Sequence, residues 1–152
     1  MSDETPHLHP LQKRVLVSAS RTEVWHAWTN QEVLATWFGR AARVDLREGG
    51  AYEILFLMDN PPGLQGGEGN TVRSFNPEHS LTITWNAPPD FGTLRDERTR
   101  VHITLADAPS GTTVSLTHDG WGDDLEWNAV RDYFNRAWDH VLAALTTHLS
   151  SS

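Results

Sequence analysis

A chain of 152 residues, 38% apolar and 21% charged, is of single-domain size and could bury roughly 70% of the surface its unfolded form exposes. A formal charge of −8 argues against a nucleic-acid partner and against adsorption to anionic lipid, both of which need clustered Lys and Arg. With no cysteine, disulfides, thiolate metal sites and thiol nucleophiles are all excluded.

The first residues, "MSDETPHLHPLQ", are polar and acidic, without a basic segment followed by an apolar one. No signal peptide is expected, and no apolar run approaches the ~20 residues of a membrane span, so cytoplasmic residence is the expectation. "KRVLVSAS" then reads as a strand, its β-branched Val15 and Val17 flanking Leu16. Ser20 and Glu23 form S-x-x-E, the capping-box pattern of a helix starting near Arg21. Thr29 and Glu32 repeat it as T-x-x-E, predicting a second short helix halted by Gly39.

Strands follow. "ARVDL", Gly49-Gly50 and "AYEILFLM" read as a hairpin with its turn at the glycines. "DNPPGLQGGEG" is a Pro/Gly loop longer than a hairpin needs, and its "GLQGGEG" part is read as a mobile flap at the rim of any cavity. "NTVRSF", the turn "NPEHS" and "LTITWNA" give two more strands, and the loop "PPDFGTLRDE" precedes "RTRVHITLA". The turn "DAPSG" leads into "TTVSLTHDGW". From Asp123 to Leu149 there is no Gly or Pro, and Trp127, Val130, Phe134, Trp138, Val141, Leu145 and Leu149 recur at three- and four-residue steps. That is one apolar face of a helix roughly 40 Å long.

The order strand, two helices, six strands, long helix predicts an α+β fold. A curved antiparallel sheet of about seven strands needs its apolar face covered, and the terminal helix is what the chain supplies. Tyr52, Ile54, Phe56 and Met58 share one strand face, as do Leu81, Ile83 and Trp85, then Val101, Ile103 and Leu105, then Val114, Leu116 and His118. Residues 12–149 read as one domain, with 1–11 and 150–152 as flexible tails.

"VWHAWTNQEVLATWFG", "DLREGGAYEI", "FNPEHSLTITW", "TTVSLTHDGW" and "RAWDHVLAAL", in that order and spacing, resemble the AHSA1 family of the START/Bet v 1-like (SRPBCC) superfamily. The resemblance covers about residues 12 to 149. It implies the helix-grip fold, with sheet and long helix enclosing a cavity that often holds a hydrophobic ligand. It does not imply one activity: members range from lipid and hormone carriers to aromatase/cyclase-like enzymes, and the eukaryotic co-chaperones carry an additional N-terminal domain.

Val24, Trp28, Leu34, Trp37 and Phe38 are the natural inward set of the two short helices, with Trp25 a candidate rim residue. The inward strand faces and the long helix give the expected cavity lining: Trp37, Tyr52, Ile54, Phe56, Trp85, Ile103, Leu116, His118, Phe134 and Trp138. His118 beside Asp119 offers an acid/base pair or, more plainly, a buried histidine at a strand end; with Tyr133 it could orient a polar ligand atom. His102 alternates outward, His140 and His148 fall on the helix's polar side, and His7 and His9 alone do not make a metal site. No metal and no cofactor is expected. There is no G-x-S-x-G, and "GLQGGEG" leads into a strand rather than the helix N-terminus a phosphate cradle needs. The charges from Arg95 to Arg100 read as a solvated strand start.

The expected function is a non-catalytic binding protein for a small hydrophobic or aromatic molecule. The alternatives are a protein-interaction module of chaperone- or stress-related kind and a cyclase- or hydrolase-like enzyme using the same cavity. Exposed aromatic surface would support a homodimer or a protein partner.

Overall fold

The computed structural model describes residues 9–150. Of the expected tails 1–11 and 150–152, residues 1–8 and 151–152 lie outside the described residues, whereas Leu11 belongs to β1 and Ser150 to α3. Strand β1 (Leu11–Val17) begins two residues before the Lys13 start read from sequence, and buried Leu11 pairs with His118. Helices α1 (Arg21–Thr29) and α2 (Gln31–Trp37) follow, then β2 (Ala41–Val44), β3 (Tyr52–Leu55), β4 (Val72–Asn76) and β5 (Ser80–Trp85). A 3₁₀ segment, Pro89–Asp96, separates these from β6 (Thr99–Ala108) and β7 (Gly111–Asp119), and α3 (Trp127–Ser150) closes the chain.

Five strands form an antiparallel sheet in the order β1-β7-β6-β5-β4, and β2 and β3 form a separate antiparallel pair. The pair meets the β4 edge through the bridge Ala51–Thr71 and the bonds Tyr52 N–H to Asn70 O and Val72 N–H to Gly50 O. The seven expected strands are therefore present as five plus two. Strand alternation sets the inner face: Leu81, Ile83, Trp85, Val101, Ile103, Leu105, Val114, Leu116 and His118 are all buried. Helix α3, 24 residues and so roughly 36 Å long, contributes Trp127, Val130, Phe134, Trp138, Leu142, Leu145 and Leu149 to the same core. Burying each such side chain contributes roughly 1.5–3 kcal/mol, so the stripe rather than helix propensity holds α3 in place. Lys13 ties the helix's outer side to β1 through Asn135 at 2.8 Å and Asp139 at 3.0 Å.

The α1 capping box is complete: Ser20 Oγ accepts from Glu23 N–H at 3.1 Å, and the Glu23 carboxylate takes the Ser20 N–H. The second cap differs from expectation. Asn30, not Thr29, caps α2, its Oδ1 accepting from Val33 N–H at 3.1 Å. Thr29 is the last residue of α1, and its hydroxyl donates to Trp25 O at 2.7 Å. Gly39 turns the chain into β2 where no side chain fits, since a Cβ would lie 2.6 Å from Ile54 Cγ2 and 2.8 Å from Leu55 O. Around this corner Trp28 packs edge-on against Trp37 (5.0 Å between ring centres) and Phe38 (5.8 Å), while partly buried Trp25 lies against Phe75 at 6.4 Å.

Other segments also differ from expectation. Strand β3 stops at Leu55, and the N–H groups of Phe56 and Leu57 both go to Gln65 O, so Phe56 and Met58 leave the inner face and become exposed. The expected loop after β5 is wound into 3₁₀ turns around Gly92, whose φ of +58° suits glycine. Helix α3 starts at Trp127 rather than Asp123. Among the described residues, no helix is long and apolar enough to cross a membrane.

Candidate functional site

A cavity of about 180 Å³ opens between the end of β5 and the middle of α3. Phe38 reaches it from just beyond α2, and residues Trp85 through Pro89 form one side as the chain leaves β5. Tyr133, Phe134, Ala137, Trp138 and Val141, recurring at three- and four-residue steps, form the helix side. Phe56, Leu57, Gly66 and Gly67 cover it from the β3–β4 segment. The rings form a connected set: Phe38 lies 5.7 Å from Trp85 and 6.0 Å from Trp138, Trp85 lies 5.7 Å from Trp138, and Phe134 stacks on Trp138 at 6.1 Å. Phe56, Leu57 and Tyr133 are its exposed members and mark the mouth.

No acidic or basic side chain lines this space. Its polar side chains are those of Asn86 and Tyr133. Asn86 is buried, donates to Gly66 O at 3.0 Å and accepts from Asn70 Nδ2 at 2.8 Å. Burial, with the Asp90 carboxylate adding to it, raises the Tyr133 pKa, so the phenol stays protonated and able to donate.

The flap over the cavity is tied down by charge. Glu68 accepts backbone N–H groups from Gly63 (2.5 Å), Gln65 (3.0 Å) and Gly66 (2.9 Å). Burial works to raise the Glu68 pKa, but these amide bonds outweigh it and hold the carboxyl below its usual range. From the far side Arg95 donates to Gly63 O (2.8 Å) and Gly66 O (2.9 Å), and Arg98 donates to Glu68 O and Asn70 Oδ1. Arg95 and Arg98 are thus clamps on the flap, not the solvated charges read from sequence. The signal that could have found them is a glycine-rich loop, whose bare carbonyls need donors from elsewhere.

A family model described as Activator of Hsp90 ATPase homolog 1-like protein matches residues 18–150. The chain belongs to the AHSA1 family. No curated protein matches it. Among solved structures it is similar to a protein from Mesorhizobium loti, with a TM-score of 0.77 and 17% identity over 95% of this chain and 98% of that one. A protein from Nitrosomonas europaea gives 0.74 and 19% over 93% and 94%. The Aha1 dimer from Colwellia psychrerythraea, a solution structure, gives 0.70 and 19% over 93% and 96%. These likenesses share the helix-grip architecture; family membership fits a ligand-binding or regulatory module and specifies no ligand.

Of the ten residues expected to line the cavity in this AHSA1 chain, Phe56, Trp85, Phe134 and Trp138 border it, Phe56 from the exposed segment beyond β3 rather than from an inner strand face. The other six do not. Trp37 turns back toward α1, its indole N–H donating to Ala27 O at 2.9 Å. Tyr52 is fully buried with its hydroxyl on Trp28 O at 2.7 Å, and Ile54 is buried beneath Gly39 and Gly67. Ile103 and Leu116 pair across β6 and β7 in filled core. All six face the packed core, Trp37 only in part; the void simply lies at one end of it.

His118 is the sixth, and its chemistry is settled by its partners. The Trp138 indole can only donate, and it does so to His118 Nδ1 at 2.9 Å. Nδ1 is therefore bare, Nε2 carries the proton and donates to Thr99 Oγ1 at 2.7 Å, and Thr99 donates on to Trp85 O at 3.3 Å. Burial, with a smaller push from His102, lowers the imidazole to about 3, so it is neutral. Asp119 does not pair with it. Adjacent strand residues point to opposite faces, and Asp119 meets Arg100 and His102 on the outer side. The lining residues sequence reasoning did not assign to the cavity are Leu57, Asn86 to Pro89, Ala137 and Val141, and Phe38, which it placed in the inward set of the helices; Gly66 and Gly67 belong to the loop it read as a flap at the rim. Most lie on segments without strand or helix periodicity, where no inward face can be counted.

Proposed function

We propose that this chain is a non-catalytic binding protein for a small hydrophobic or aromatic molecule held between sheet and α3. The observation that carries the reading is the aromatic-walled cavity of about 180 Å³ with an exposed apolar mouth. A concave, mostly apolar space with a few convergent polar groups is the usual form of a small-molecule site. The commitment of both His118 nitrogens to Trp138 and Thr99 supports a binding role over the enzyme reading, which depended on that imidazole. Native mass spectrometry of the purified protein and a thermal-shift screen of aromatic and aliphatic compounds test it. Carried ligand, or a shift with small apolar compounds, is the expected result; no carried ligand and no shift with any compound would overturn it.

A second reading has one observation in its favour. Phe56, Leu57, Met58 and Leu64 are all exposed on or beside the flap, which suits a surface that meets a second copy or another protein. The Colwellia relative was solved as a dimer. Sedimentation of the wild type and of Leu57→Ser/Leu64→Ser would separate this reading from the first.

A further inference from the structure

We propose that the cavity takes an uncharged aromatic of one or two rings, and that the Asn86 amide reads a single hydrogen-bonding substituent on it. The inference rests on the binding reading above and deepens it.

Size sets the first limit. An apolar cavity of about 150 Å³ in another protein holds benzene. The space here, about 180 Å³, takes one ring and lets a second extend toward the mouth. A long-chain fatty acid has roughly three times the heavy atoms of benzene and exceeds it. The walls are also stiff, since rings in mutual contact have few rotamers with which to make room.

Charge sets the second limit. No Asp, Glu, Lys, Arg or His borders the space, and burying an unpaired ion is costly. The nearby charged groups stand outside the lining: the terminal nitrogens of Arg95 and Arg98 hold carbonyls of the flap, with Arg95 Nε unpartnered, Glu68 holds the flap's amides, and Asp90 lies near Tyr133 beyond the mouth. Within the lining a cation would find aromatic rings but no carboxylate, and an anion neither cation nor free backbone amide from Gly66 or Gly67, whose N–H groups go to Glu68 and Ile54.

Asn86 is the remaining selective element. Its amide offers two N–H donors and an acceptor oxygen with two lone pairs. One N–H is used on Gly66 O and one lone pair on Asn70 Nδ2, which leaves one donor and one acceptor on a buried side chain bordering the cavity. The same two bonds fix which end is oxygen and which is nitrogen, so the group is oriented before any ligand arrives. A phenol or indole donor can meet the free lone pair, and a carbonyl or ether oxygen the free N–H.

The test measures binding of naphthalene, 2-naphthol, palmitate and tetramethylammonium to the wild type and to Asn86→Leu by quenching of tryptophan fluorescence. Expected for the wild type is 2-naphthol tighter than naphthalene by about 5-fold or more, the order of one net hydrogen bond, with neither ion competing. In Asn86→Leu the two naphthalenes become equal, while retained naphthalene affinity shows the cavity intact. Should that variant not fold, 2-naphthol is expected to move the Asn86 side-chain amide resonance of the wild type downfield of its position with naphthalene, and equal positions with both would overturn the inference. Naphthalene bound without preference for 2-naphthol, or displaced by palmitate or tetramethylammonium, overturns the inference and leaves the binding reading standing. No binding by any of the four overturns both.

Discussion

His118→Gln removes a buried titrating group while keeping an amide able to donate to Thr99. In the unfolded chain a histidine takes up a proton near pH 6.5; in the fold, burial holds His118 down to about 3. Because the folded value is depressed, the unfolded state binds more protons across that window. The stability His118 lends is therefore complete above pH 6.5 and is lost as pH falls toward 3. The slope is about 1.4 kcal/mol per pH unit, so between pH 7 and pH 5 the wild type loses about 2 kcal/mol through this group alone. The variant does not titrate there, but it leaves the Trp138 N–H without its Nδ1 acceptor, costing about 1–3 kcal/mol at pH 7. Urea unfolding at pH 7, 6 and 5 should show the gap between the two proteins narrowing by about 2 kcal/mol. Other groups titrate equally in both and cancel in the difference. A gap that stays constant from pH 7 to pH 5 would refute the burial and neutral charge argued for this side chain.

Filling the cavity is the next perturbation: Ala137→Phe places a ring in the space, and ligand affinity measured by fluorescence should fall about 10-fold or more with the melting temperature unchanged or raised. Arg95→Ala removes two charge-assisted bonds to the flap; amide exchange of residues 63–66, followed by mass spectrometry, should speed up about 10-fold while exchange in α3 is unchanged. Asn30→Ala should cost about 1 kcal/mol in urea unfolding and Thr29→Ala distinctly less, because Asn30 is the residue whose side chain caps α2.

The fold was legible in the sequence because it rests on local periodicities, and the family through its resemblance in the order and spacing of five separate blocks. The S-x-x-E box at Ser20 fixes the start of α1, and the apolar steps from Trp127 to Leu149 fix a helix that must lie on a sheet. Alternation then named the inward faces of β5, β6 and β7 correctly, since period two needs no knowledge of neighbours. Where local signals competed, the reading slipped. T-x-x-E and Asn30 both fit a cap, and only the end of α1 at Thr29 decides between them.

The site was less legible, because facing inward and bordering a void are different properties. Tyr52, Ile103, Leu116 and His118 face inward and meet packed atoms; Trp85 and Trp138 face inward and meet space. That difference is set by volumes contributed from elements far apart in sequence, Phe38 after α2, the flap at Gly66–Gly67 and Ala137 on α3. The amino-acid sequence by itself determined most of the residues that leave water, because hydrophobic periodicity is local; it failed at Phe56 and Met58, where the strand ends early. Only the tertiary structure decided where those residues fail to fill the interior, because a cavity is a remainder left when every element has been packed, and no single stretch of chain encodes it.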